Sequence, residues 1–114
     1  MLSNCTKNLL NLKTDILNQK SGNLYEAGGK YWDNKNYDLA LKEYLKIPNK
    51  TPEVIEAIAS CYLELNDTAN ARKYYNELLA KNSANKSALM GVAGSFYKDG
   101  NLTNSISYCN KILS

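Results

Sequence analysis

The chain has no histidine, one arginine (Arg72), one tryptophan (Trp32), one phenylalanine (Phe96), two prolines and three cysteines in 114 residues. Without histidine the commonest general base and metal ligand is missing, so neither a Ser-His nor a Cys-His nucleophile can be assembled. Most hydrolase mechanisms are thereby excluded, and no cofactor or metal is expected. Cys5, Cys61 and Cys109 are odd in number and form no CxxC pair. That argues against a disulfide framework and a zinc site, and favours a reducing, cytoplasmic setting. No apolar run approaches the roughly 18 residues of a membrane span, and the N-terminus shows no hydrophobic signal core. The only glycine clusters, Gly28-Gly29-Lys30 and Gly91-Val92-Ala93-Gly94, lie inside helical patterns and lack the spacing that cradles a phosphate.

What is present reads as one small folded domain. Hydrophobic residues make up 44% and charged residues 22%, close to ordinary globular usage. The net charge of +3 comes from lysines and Arg72 interleaved along the whole chain with 11 carboxylates, a solvated surface and no stripe for nucleic acid. Glu53 and Glu56 stand three apart on one helix face. Such a pair is more simply a solvated or ligand-facing edge than an acid–base couple.

The strongest signal is internal repetition, which decides the whole fold where it occurs. Tyr31 to Tyr62, Ala40 to Ala71 and Tyr44 to Tyr75 are each 31 residues apart; Tyr62 to Phe96, Ala71 to Ser105 and Tyr75 to Cys109 are each 34. Within each unit two groups of apolar residues follow steps of three and four, as on the face of a helix: Leu24, Ala27, Gly28 and Tyr31; Ile55, Ile58, Ala59 and Tyr62; Leu89, Val92, Ala93 and Phe96. Gly28, Ala59 and Ala93 are small where two antiparallel helices must approach, and Tyr31, Tyr62 and Phe96 fill the space beside them. Helices are expected at about 6–19, 22–34, 37–47, 52–65, 68–81, 86–98 and 102–113. Asn34-Lys35-Asn36, Asn66-Asp67 and Asp99-Gly100-Asn101 make tight turns at equivalent places.

From about residue 21 onward these markers resemble the tetratricopeptide repeat family: a large apolar residue, a Leu-Gly-like pair, Tyr, then Ala, an aromatic and, in the first unit, the closing Pro52. The usual Trp is missing from its place, and Ser105 and Cys109 replace the small and aromatic markers of the third unit. The resemblance implies an all-α, right-handed superhelix, a solenoid of antiparallel helix pairs, divided at 21–51, 52–85 and 86–114. Residues 1–20 place Leu2, Cys5, Leu9, Leu12 and Ile16 on an amphipathic stripe, a cap or a degenerate half-repeat. Leu2-Ser3-Asn4-Cys5 is also similar to the end of a bacterial lipoprotein signal, which sets a lipid-anchored envelope location beside the cytoplasmic one.

The resemblance further implies a non-enzymatic protein that binds a peptide segment of a partner in a concave groove lined by the first helices. By position the groove takes Tyr25, Gly29, Trp32 and Asp33; Glu53, Glu56, Ser60, Leu63 and Glu64; and Ser87, Met90, Gly94, Tyr97 and Lys98. This set is aromatic and acidic, which suits a partner with basic and apolar residues. Where some members carry a Lys, Asn and Arg clamp for a chaperone's C-terminal carboxylate, this chain has Tyr25, Gly29, Ala57, Ser87 and Gly91. A co-chaperone of that type is therefore not expected. The alternatives are a scaffold that self-associates through its terminal helices, and a secretion-chaperone or envelope-lipoprotein repeat domain.

Overall fold

The computed structural model describes residues 2–114; within 2–17, side chains are described only for Leu9, Leu12, Lys13, Asp15 and Ile16. Six helices follow in order: α1 (Leu2–Asp33), α2 (Tyr37–Leu45), α3 (Pro52–Glu64), α4 (Thr68–Lys81), α5 (Lys86–Lys98) and α6 (Leu102–Leu113). Each packs on its neighbours in the chain, so α1–α2, α3–α4 and α5–α6 are three helix pairs packed side by side in a molecule of 63 × 32 × 19 Å.

Three turns of one design close the pairs. Lys35, Asn66 and Gly100 sit at repeat-equivalent positions with positive φ of 61°, 63° and 78°. After each, the next amide donates back to the carbonyl of the preceding helix's aromatic: Asn36 to Tyr31, Asp67 to Tyr62 and Asn101 to Phe96, at 2.8–2.9 Å. This is the glycine-type C-terminal cap that satisfies otherwise orphaned carbonyls. The side chains of Asp67 and Asn101 then cap the next helix by accepting from Asn70 N and Asn104 N. Pro52 opens α3 at a position where its missing N–H is no loss, with Thr51 Oγ1 accepting from Val54 N.

The markers of the repeat are the core. Ala40, Ala71, Ile58, Ala59 and Cys61 are fully buried, as are Tyr44, Ile47, Ile55, Tyr75, Leu78, Leu89 and Val92 to within a few per cent. The expected seven helices are corrected to six: no break separates 6–19 from 22–34, and α1 runs on for 32 residues. Ser21-Gly22 carries no proline, and one glycine inside a helix costs only about 1 kcal/mol, too little to end it. Residues 2–20 thus continue the first helix of the first pair. Of the stripe expected there, Leu9, Leu12 and Ile16 are exposed, while Leu2 and Cys5 lie outside the described side chains. Among the described residues no helix is long and apolar enough to cross a membrane, and no group of three or more His, Cys, Asp or Glu could hold a metal.

Candidate functional site

Two tyrosines at equivalent positions on the second helices decide where the groove opens. Tyr44 and Tyr75 are both buried, 4% exposed. Tyr44 lies in the notch at Gly28, on the first helix of its own pair, where an added Cβ would stand 2.5 Å from Tyr44 Cε1. Tyr75 instead fills the notch at Gly91, on the first helix of the following pair, where a Cβ would overlap the ring. The repeat exchanges these glycines: the equivalent of Gly28 is Ala59, and the equivalent of Gly91 is Ala57. Each ring turns to the neighbour that offers no side chain. As a result α5 packs directly on α3, whereas a cleft remains between α3 and α1.

That cleft has a volume of about 340 Å³ and is lined by Tyr25, Trp32, Tyr44, Glu53, Glu56, Ala57 and Ser60. Five of the residues expected in the groove therefore meet in one place. The Tyr25 ring tilts against Tyr44 at 5.5 Å between centroids. Trp32, half-buried, sets an edge on Tyr37 at 4.9 Å and still faces the cleft, so it both packs and lines. Among the described residues neither Glu53 nor Glu56 belongs to an ion pair.

One carboxylate is felt at the floor. Burial raises the Tyr44 hydroxyl to a pKa of about 12, with further contributions from Cys61, Tyr25 and Asp33. Burial also raises Tyr75; the hydrogen bond from Ser60 works against it, and the charges of Glu56 and Glu64 add to it. The Cys61 thiol is pushed up to about 12 by burial and by Glu64. Of these carboxylates only Asp33 acts on Tyr44, which lines the cleft; Glu56 and Glu64 act on Tyr75 and Cys61, which do not.

The remaining candidates are placed elsewhere or engaged within the fold. Lys98 donates to the Leu63 carbonyl at 2.8 Å and to Asn66 Oδ1 at 3.2 Å, which binds its ammonium to α3. Ser60 Oγ and Tyr75 Oη lie 2.9 Å apart, so that hydroxyl has a partner already. Gly29 borders the cleft, a Cβ there reaching 4.0 Å from Tyr44 Oη, and Gly94 lies against Leu63 at the α3–α5 contact. Met90 and Tyr97 are exposed and line a separate hollow with Ala93, Gly94, Ser105, Cys109 and Ile112. Ser87 is exposed on α5.

The sequence reading used Tyr44 only as a repeat marker and Ala57 only as a place without a clamp residue, and counted neither among the groove residues. It also missed a second cavity beside the first, lined by Asn18, Ser21, Gly22, Tyr25, Ile47, Asn49, Thr51, Glu53 and Val54. The expected break after residue 19 hid that cavity; the signal that could have found it is the uninterrupted helical pattern through Ser21-Gly22.

Comparison with known proteins agrees with this architecture. The profile of the tetratricopeptide repeat family matches residues 57–114, half of the chain. The first TPR domain of Spaghetti (RPAP3), solved with the HSP90 peptide SRMEEVD, aligns with a TM-score of 0.73 at 26% identity over 83% of this chain and 78% of that one. The first TPR domain of human RPAP3 aligns with a TM-score of 0.71 at 24% identity, over 82% of this chain and 76% of that one. A search of curated proteins finds no match. Six helices in three stacked pairs, the turns at equivalent places in the repeats and the family match together make this chain a member of the tetratricopeptide repeat family, a non-enzymatic protein-interaction module.

Proposed function

We propose that the cleft between α1 and α3 holds a segment of a partner protein that presents basic and apolar side chains. The observation that carries this reading is the cleft itself: Tyr25, Trp32 and Tyr44 wall it, and the unpaired carboxylates of Glu53 and Glu56 edge it. Aromatic rings offer large contact area with few torsions to freeze, and carboxylates at a rim steer and select cations. The peptide held by the Spaghetti domain is acidic at its C-terminal end. Here such a peptide would meet like charge from Glu53 and Glu56, and the places of the clamp hold no cation, since they are Tyr25, Gly29, Ala57, Ser87 and Gly91. The opposite charge preference follows.

The test uses peptides selected on the wild-type protein from a random library displayed on phage, with SRMEEVD as a contrasting probe and the lone Trp32 as a fluorescent reporter. Enrichment of Lys or Arg is expected, with affinity weakened about 10-fold or more by Glu56→Lys and by Trp32→Ala, the latter read by peptide anisotropy. Selected peptides without basic residues, or affinities untouched by both changes, would overturn the proposal.

A second reading, self-association, is favoured by the exposed Leu9, Leu12 and Ile16 on α1 and by Ile106 and Leu113 on α6. It expects a mass that rises with concentration and falls back with Leu113→Asp; a constant monomer mass across the range counts against it.

A further inference from the structure

The second cavity extends the proposed groove, and its chemistry differs from that of the first. Its volume is about 340 Å³. Ile47 and Val54 close its base but are almost fully buried, so the exposed Tyr25 ring is the main apolar side chain it presents. The walls are the uncharged Asn18, Ser21, Asn49 and Thr51, and Glu53 is the one charged residue that lines it. Tyr25 and Glu53 line both cavities, so the two are adjacent. Gly22 lines the wall, and a Cβ built there meets nothing within 4 Å, so a larger side chain can be placed there without a clash. Lys50, the lysine of the neighbouring turn, is turned away from Glu53: its ammonium donates to the carbonyls of Leu45 and Ile47 at the end of α2.

We infer that this cavity is a side-chain subsite for an aliphatic residue of the bound segment, next to a lysine or arginine held by Glu53. The inference rests on the groove reading above and specifies its ligand. The exposed Tyr25 ring, above the buried Ile47 and Val54, selects an apolar group, because burying the two against each other removes water from both. Glu53 sets the charge of the neighbouring residue. A fatty acid would fill the same apolar volume but would bring its carboxylate to Glu53, with Lys50 already engaged. The charge at the seam therefore favours a peptide with a cationic residue.

The experiment uses the full chain and a basic peptide selected as above, labelled with a fluorophore. Gly22→Leu places a side chain into the cavity while raising local helix propensity, so the fold is retained, as circular dichroism and thermal melting check. Its affinity for the peptide is expected to fall about 10-fold to 100-fold. An alanine scan of the peptide should find one aliphatic position whose loss costs about 10-fold on the wild type and almost nothing on Gly22→Leu, a coupling that marks direct contact. Asn18→Phe, on the opposite edge of the same wall, provides a second obstruction if Gly22→Leu alters the melt. If Glu56→Lys weakens binding while Gly22→Leu and Asn18→Phe bind as the wild type does, the subsite is wrong and the groove stands. If none of the three changes affects binding, both fall.

Discussion

The two junctions between helix pairs use equivalent residues to opposite ends. At the second, Tyr75 reaches forward into Gly91 and shares a hydrogen bond with Ser60, while Arg72 spans from α4 to Asp99 at 2.7 Å and lies over the Phe96 ring at 4.5 Å. Thr68 also donates to Asp99, at 2.7 Å. At the first, Tyr44 turns back into Gly28, and the places of Arg72 and Asp99 are taken by Leu41 and Leu65. Among the described residues no side-chain hydrogen bond joins α1 or α2 to α3. One junction is closed and cross-linked, the other is left with a cleft. The same fold therefore yields a closed seam or an open cleft according to which helix carries the glycine.

The comparison breaks most directly at the glycines. Gly91→Ala should cost about 2–3 kcal/mol, because the methyl group overlaps a ring enclosed between α3 and α5. Gly28→Ala should cost only about 1 kcal/mol, because Tyr44 can swing into the cleft beside it. That swing should also fill the groove and abolish peptide binding. Equal melting temperatures for the two variants would show that the junctions do not differ as described.

The cross-link is tested next. Arg72→Ala should cost about 1–2 kcal/mol by urea denaturation, through loss of the contact with Phe96 and of the bonds to Ser95 and Asp99. The hydrogen bonds from Thr68 and Arg72 hold the Asp99 carboxyl below its ordinary 3.8. Its contribution is complete above pH 3.8 and is lost as pH falls through the lowered value. Asp99→Asn should remove that part of the acid dependence, and unchanged acid melting curves would count against the link.

The first junction has its own pH signature. Tyr44 is raised from 10.0 to about 12, so its neutral form is the one the fold favours. The stabilisation is complete below pH 10.0 and disappears as pH rises through about 12. Tyr44→Phe should therefore flatten the stability profile in that alkaline window, and a profile as steep as the wild type's would refute the assignment. The smallest effect is expected at the turn before α2. Lys35 holds φ of 61°, a conformation that its equivalents meet with Asn66 and Gly100. Lys35→Gly should stabilise the protein by about 0.5–1 kcal/mol, seen as a higher melting temperature.

Much of this was legible beforehand. The three-turn register and the small residues Ala40, Ala59 and Ala71 could be read from spacing because a helical repeat places equivalent residues in equivalent surroundings, and the family resemblance pointed to Tyr25, Trp32, Glu53, Glu56 and Ser60, which line the first cleft. Met90 and Tyr97 could be assigned by the same rule yet line a different hollow, since the α3–α5 contact closes the groove between them and the first cleft. Lys98 was legible as a cation but not as one bound to the Leu63 carbonyl, a partner 35 residues away. The long α1 was missed because the chain was divided where the repeat resemblance begins, at about residue 21, and the helix runs on through that boundary.

The sequence alone determined the helix pairs, their turns and the absence of histidine-based catalysis, because these depend on residue type and on spacings of three and four. Only the tertiary structure decided which way Tyr44 and Tyr75 point, which junction stays open and which charges remain unpaired. Those outcomes depend on steric competition between side chains of different helices, where a methyl group present at Ala57 and absent at Gly91 redirects a whole ring.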